Sequence, residues 1–183
     1  MKSLISGILL AVTSLHFINR LSFIESQENI ETDKFATASV SELTKFFGEP
    51  IYKEITRQSS NSIVLNVEGD KIQTLDSYKT IGILKDVGNV TDISTFTTTY
   101  GPEGNSSTSI GKGIIMTSDG EIATYTGHDL GITYENRTQT YHGIQIFSTD
   151  SKGELSFLDN LVGLYEYKYP LYGENSGMIW KWK

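Results

Sequence analysis

The chain has 183 residues, 38% of them hydrophobic and 20% charged, enough apolar material for one packed domain and too little charge for a disordered one. Its net charge of −7, with no basic run longer than Lys181-Trp182-Lys183, excludes an extended phosphate-binding surface, so no nucleic-acid partner is expected. The absence of cysteine removes disulfides, thiol nucleophiles and cysteine-ligated metals together.

Lys2 precedes an apolar run from Leu4 to Val12, which continues through Leu15, Phe17 and Ile18. One positive charge before such a run matches a secretory signal, and the run is short for a membrane span. Residues 1–24 are therefore expected to be a signal-peptide-like or anchor segment. The protein is expected to be secreted, or membrane-anchored and extracytoplasmic, meeting a membrane only through that segment if it is uncleaved. Sequons at Asn89, Asn105 and Asn136 suit an exported chain. Residues 25–38 are polar and mixed in charge and read as a linker. The domain proper spans 39–183. It opens on Ser39-Val40-Ser41-Glu42, a helix cap followed by a Glu three residues on. Val40, Leu43, Phe46 and Phe47 share one helical face, and Gly48 and Pro50 end the helix. This helix is expected to close one end of the domain or pack on its side.

From Ile51 onward, turn signals recur at the spacing of a small all-β domain. Strands are expected near 51–58, 62–68, 70–77, 79–85, 90–100, 109–117, 121–132, 138–149, 155–169 and 177–182. Ser118-Asp119-Gly120, Asp150-Ser151-Lys152-Gly153 and Tyr172-Gly173-Glu174-Asn175 are hairpin turns in this reading. A meander of this length closes to protect its edges. The fold class is all-β, an antiparallel up-and-down barrel of about eight strands with one short N-terminal helix. Gly113, Gly143 and Gly163 fall inside strands, where sharp bends are expected.

The stretch Gly111-Lys112-Gly113-Ile114-Ile115-Met116-Thr117-Ser118-Asp119-Gly120-Glu121 resembles a strand–turn unit of small microbial barrel proteins of unknown function. The likeness continues in Tyr125-Thr126-Gly127 and Gly131, then from Leu155 to Tyr167, and ends at Gly177-Met178-Ile179-Trp180-Lys181-Trp182. These proteins resemble the calycin-like barrels of plant allene oxide cyclase and dirigent proteins. The resemblance implies the barrel and an apolar pocket with a few polar groups. It carries no catalytic residue onto this chain, because the matching positions are glycines, turn residues and core aromatics.

Two groups could carry chemistry. His128 and His142 would face each other across a hairpin centred on Glu135, able to hold a metal if a third ligand joined them. Glu166 alternates with Tyr165, Tyr167 and Tyr169, so it faces either the barrel interior or solvent beside Lys168. These three residues are weak catalytic candidates, and no catalytic set, metal site or cofactor is expected. Asp159-Asn160 suggests a bulge, and Asp119 and Glu121 are ordinary turn carboxylates. Tyr165, Tyr167, Trp180 and Trp182 are the expected ligand-binding residues, from the aromatic stripes on the last two strands. The expected function is binding of a small apolar or amphipathic ligand by an exported barrel. The alternatives are a cyclase- or isomerase-like enzyme acting on a lipid or phenolic, and a structural protein of the cell envelope. Oligomeric state is left open.

Overall fold

The computed structural model describes residues 40–58 and 61–183, so the segments read as 1–24 and 25–38 lie outside the described residues. The chain divides into Met1–Lys45 and Phe46–Lys183, and the second unit holds the whole barrel. Helix α1 (Val40–Phe47) forms as its periodicity predicts. Gly48 ends it at a φ of 86°, a left-handed conformation that costs glycine nothing. Phe47, at its last turn, lies with its ring centroid 6.2 Å from that of Trp182.

Nine strands follow: β1 (Tyr52–Gln58), β2 (Ser62–Glu68), β3 (Lys71–Leu84), β4 (Gly88–Tyr100), β5 (Ser106–Met116), β6 (Ile122–Thr133), β7 (Gln139–Ser148), β8 (Val162–Tyr169) and β9 (Ser176–Lys181). All neighbours are antiparallel. The sheet runs β1-β9-β8-β7-β6-β5-β4-β3, and β3 returns to β1, so eight strands close a barrel. The architecture is consistent with a calycin-like barrel. Strand β2 stands outside the closed ring. It pairs with the first part of β3, from Lys71 to Asp76, while β1 takes the second part, from Lys79 to Leu84.

Two strand assignments differ from the sequence reading. The stretches 70–77 and 79–85 form one strand, because β3 pairs with β4 without interruption from Ile72↔Tyr100 to Leu84↔Gly88. The run 155–169 is not one strand. Glu154–Leu158 forms a 3-10 turn, Asn160 adopts a φ of 56°, and β8 begins only at Val162. Leu155, Leu158 and Leu161 turn inward and complete an apolar core with Leu84, Val90, Ile115, Phe147 and Ile179. Burial of these side chains is worth more than continued strand pairing, so the connection becomes a plug for this end of the barrel.

Glu121 pins the plug. Its carboxylate accepts from the backbone N–H of Glu154 at 3.1 Å, from that of Leu155 at 2.9 Å and from the Ser151 hydroxyl at 2.5 Å. These donors hold its pKa below the ordinary range, the Leu155 N–H most of all. A residue read as an ordinary turn carboxylate is thus a capping ligand for the 3-10 turn. Replacing Glu121 by Ala is expected to lower the melting temperature and to speed amide exchange at Glu154 and Leu155 ahead of the strands. Unchanged exchange at those two amides would remove this role.

The strand glycines make room rather than bends. Gly113 and Gly143 keep φ values open to any residue, yet a side chain there would collide with an aromatic ring. Tyr125 of β6 lies over Gly113 of β5 to reach Asp92 of β4, its hydroxyl 2.9 Å from Oδ1. Tyr165 of β8 lies over Gly143 of β7, and its hydroxyl donates to Asp129 of β6. Each ring crosses a whole strand, which only a missing Cβ permits. At Gly163 a Cβ would come within 2.7 Å of Ile179 Cγ2. Gly113→Ala is expected to displace Tyr125 and leave Asp92 without its donor, costing about 2–4 kcal/mol in urea unfolding. A cost below ~0.5 kcal/mol would mean that the ring relocates freely.

Candidate functional site

The barrel wall is polar on the inside over much of its height. On β4, Asp92 and Ser94 are 9% and 8% exposed while the intervening Ile93 is 41% exposed. Ser109 on β5 is 4% exposed and its neighbour Ile110 is 62% exposed. The apolar plug closes one end, and the polar interior opens toward the other.

Within it lies a cavity of about 90 Å³, whose wall includes Asp92, Phe96, Asp129, Gln145, Tyr165 and Tyr167. Above it an open depression of about 500 Å³ forms the mouth, where Tyr78, Tyr100, Tyr141, Tyr167 and Tyr169 stand with Asp76. Arg57, Tyr78, Thr98, Tyr141 and Tyr167 border both spaces, so the mouth and the cavity share a wall. Pockets for drug-sized ligands hold roughly 300–1,000 Å³. The inner cavity is too small for a ligand of that size by itself.

The charges inside are individually held. Arg57 donates to both carboxylate oxygens of Glu54, at 3.2 and 2.9 Å. Its guanidinium stacks 3.8 Å from the ring centre of Tyr167 and 4.5 Å from that of Tyr78. Burial works against its charge, but Glu54 more than offsets this, so Arg57 holds its proton more tightly than usual. A bulge in β1 between Glu54 and Thr56 brings both Glu54 and Arg57 to the inner face. Asp76 accepts from Ser62 at 2.6 Å, Thr74 at 2.8 Å and Thr98 at 3.0 Å.

Asp92 and Asp129, like Asp76, have no cation bound to them among the described residues, and each accepts from a tyrosine hydroxyl. Burial pushes Asp92 up to about 7, against the donated bond of Tyr125 and the distant Arg57, which lower it. Burial also raises Asp129, with the Tyr165 and Ser109 hydroxyls opposing. Asp129 Oδ1, Gln145 Oε1 and the Tyr167 hydroxyl are buried and make no hydrogen bond within the protein.

The residues singled out from sequence fall in different places. Tyr165 and Tyr167 line the cavity. Trp180 and Trp182 do not border it. Trp180, on β9, is fully buried opposite Leu164, and Trp182, just past the end of β9, is 54% exposed. Glu166 borders the cavity, but its carboxylate is bound 3.0 Å from His142 Nε2 across the β7–β8 pair.

His128 and His142 do not face each other. The hairpin is centred on Asn136, so His128 pairs with Ile144 and His142 with Leu130. The cause is a turn with Arg137 at a φ of 61°, closed by Arg137 N–H to Tyr134 and by Asn136 Oδ1 accepting from the Thr138 N–H. That turn moves the hairpin centre by one residue and the pairing by two. Among the described residues, no three His, Cys, Asp or Glu side chains gather where a metal could be held.

Asp92, Asp129, Gln145 and Arg57 went unnoticed in the sequence. The available signal was alternation: Asp92, Ser94, Phe96, Thr98 and Tyr100 share a face with Val90, a face that proves to be the inner one. No family model, curated protein or solved structure matches the chain.

The raised Asp92 has a definite consequence. Its carboxyl binds a proton more tightly in the native than in the unfolded state, so its contribution is complete below about pH 4 and is lost as pH rises through about 7. The loss is on the order of 4 kcal/mol. Asp92→Asn, which keeps an acceptor for Tyr125, is expected to flatten the fall in stability between about pH 4 and about pH 7, the window set by these values. Parallel pH profiles for the two proteins in urea unfolding would contradict the assignment.

Proposed function

We propose that the protein is an exported barrel that binds a small amphipathic molecule, its polar head in the inner cavity and its apolar part among the mouth tyrosines. The observation that carries this reading is that the cavity and the mouth lie against each other, with Arg57, Tyr78, Tyr141 and Tyr167 in the wall of both. The polar wall favours an amphipathic ligand over a wholly apolar one, because an apolar group would leave Asp129 and Gln145 without partners. Likeness to the barrels of allene oxide cyclase and dirigent proteins supports a pocket at this place in the fold. Export rests on the apolar run within residues 1–24.

A second reading, a cyclase- or isomerase-like enzyme, draws support from Asp92. A carboxyl at about 7 beside a cavity suits proton transfer near neutral pH. Small-molecule binding is common to both readings and is tested first. Native mass spectrometry of protein purified without denaturation is expected to show one small-molecule adduct per chain. Ser109→Leu, which fills the cavity, is expected to lose the adduct while still melting cooperatively. A bare wild-type chain that no amphipathic amine, alcohol or acid stabilises against heat would overturn the reading.

A further inference from the structure

The unpartnered groups of the cavity specify the head group, an inference that rests on the ligand-binding reading above. Gln145 is 6% exposed, borders the cavity, and has an Oε1 that accepts no hydrogen bond. Asp129 borders the same space with one oxygen engaged by Tyr165 and Oδ1 free. The two residues are diagonal neighbours on β6 and β7, since Asp129 pairs with Gly143 and Gln145 with Gly127. Diagonal neighbours on one face stand about 7–8 Å apart, close enough for one small group to reach both. The Tyr167 hydroxyl, also without a partner, borders the cavity from β8.

We propose that the cavity seats the protonated amine of a small organic cation, with Asp129 Oδ1 and Gln145 Oε1 as its acceptors. An ammonium group carries three N–H donors and no acceptor, which suits a cavity rich in unused oxygens. Its charge answers that of Asp129, and charge-assisted bonds are the stronger kind. Burial disfavours the ionised form of Asp129, and a cation against Oδ1 restores what solvent no longer supplies.

An anion is disfavoured. Arg57 is the cationic side chain among the described residues of the wall, and Glu54 already holds it through both of its oxygens. An alcohol brings one donor to three oxygens. The mouth suits the remainder of the ligand, because Tyr78 and Tyr167 already accept a cation on their faces from Arg57, and Tyr141 lies 6.1 Å from Tyr167.

Calorimetry with 2-phenylethylamine, 2-phenylethanol and phenylacetate on the full chain tests this, since the three share a tail and differ in head. The amine is expected to bind at least tenfold more tightly than the alcohol, with no detectable binding of the acid. Asp129→Asn retains an acceptor for Tyr165, and Gln145→Met retains volume. Each is expected to weaken the amine by tenfold or more and the alcohol by less. Equal or tighter binding of the alcohol or acid would overturn the amine assignment and leave the ligand-binding reading standing. Amine binding unchanged in a folded Asp129→Asn, or in Gln145→Met if the former does not fold, would overturn it as well. If none of the three binds, the assignment fails. An adduct in native mass spectrometry would then preserve the ligand-binding reading, and its absence would remove both.

Discussion

A closed barrel of eight strands encloses a narrow space, and a charged group turned into it must find its partner across that space rather than in water. This chain meets the constraint with tyrosine. Tyr125 and Tyr165 each lie flat over a glycine on the next strand and reach a carboxylate two strands away. The ring covers the gap in the wall while the hydroxyl satisfies the acid. The glycines, the tyrosines and the aspartates are therefore one device distributed over β4 to β8. Glu54 and Arg57 solve the same problem within one strand, using a bulge to place both charges on the inner face.

The two ends of the barrel are built on opposite principles. The plug end is apolar, with leucines from the Glu154–Leu158 turn and the following residues completing a dry core. The mouth end is ringed by tyrosines, with Asp76 and Arg57 among them, and Glu54, Asp92, Asp129 and Glu166 line the inner cavity. Aromatic faces thus stand at the rim and most of the carboxylates lie deeper.

Much of the architecture was legible because turns announce themselves chemically. Asp119-Gly120 supplies a left-handed position by glycine, and the hairpin falls where expected. The hairpin at Asn136 does not announce itself, since its left-handed residue is Arg137, a type with no such preference. A one-residue error there was enough to bring His128 and His142 together on paper and not in space. The site was harder to see for a different reason. Alternation in β4 and β5 is plain, but the outer wall carries isoleucines such as Ile93 and Ile110 while the inner one carries Asp92, Ser94 and Ser109. Hydrophobicity thus pointed to the wrong face, while Tyr165 and Tyr167, which mix the two characters, do line the cavity. Leu155 and Leu158 misled in turn, because an apolar run in a β-rich chain reads as strand when it is in fact a plug.

The seam of the barrel sets the order of its assembly. Strand β1 joins β9 through Tyr52↔Ile179 and Lys53↔Met178, a pairing that spans almost the whole described chain. A hairpin can form as soon as its second strand leaves the ribosome, so β3 to β7 can accumulate pair by pair during synthesis. The ring cannot. Strand β9 is ninth in chain order, so until it has emerged both sides of the sheet remain open, and the buried carboxylates face water. The nascent protein is therefore an unsealed sheet until β9 emerges, and its inner cavity comes into being only when the ring closes.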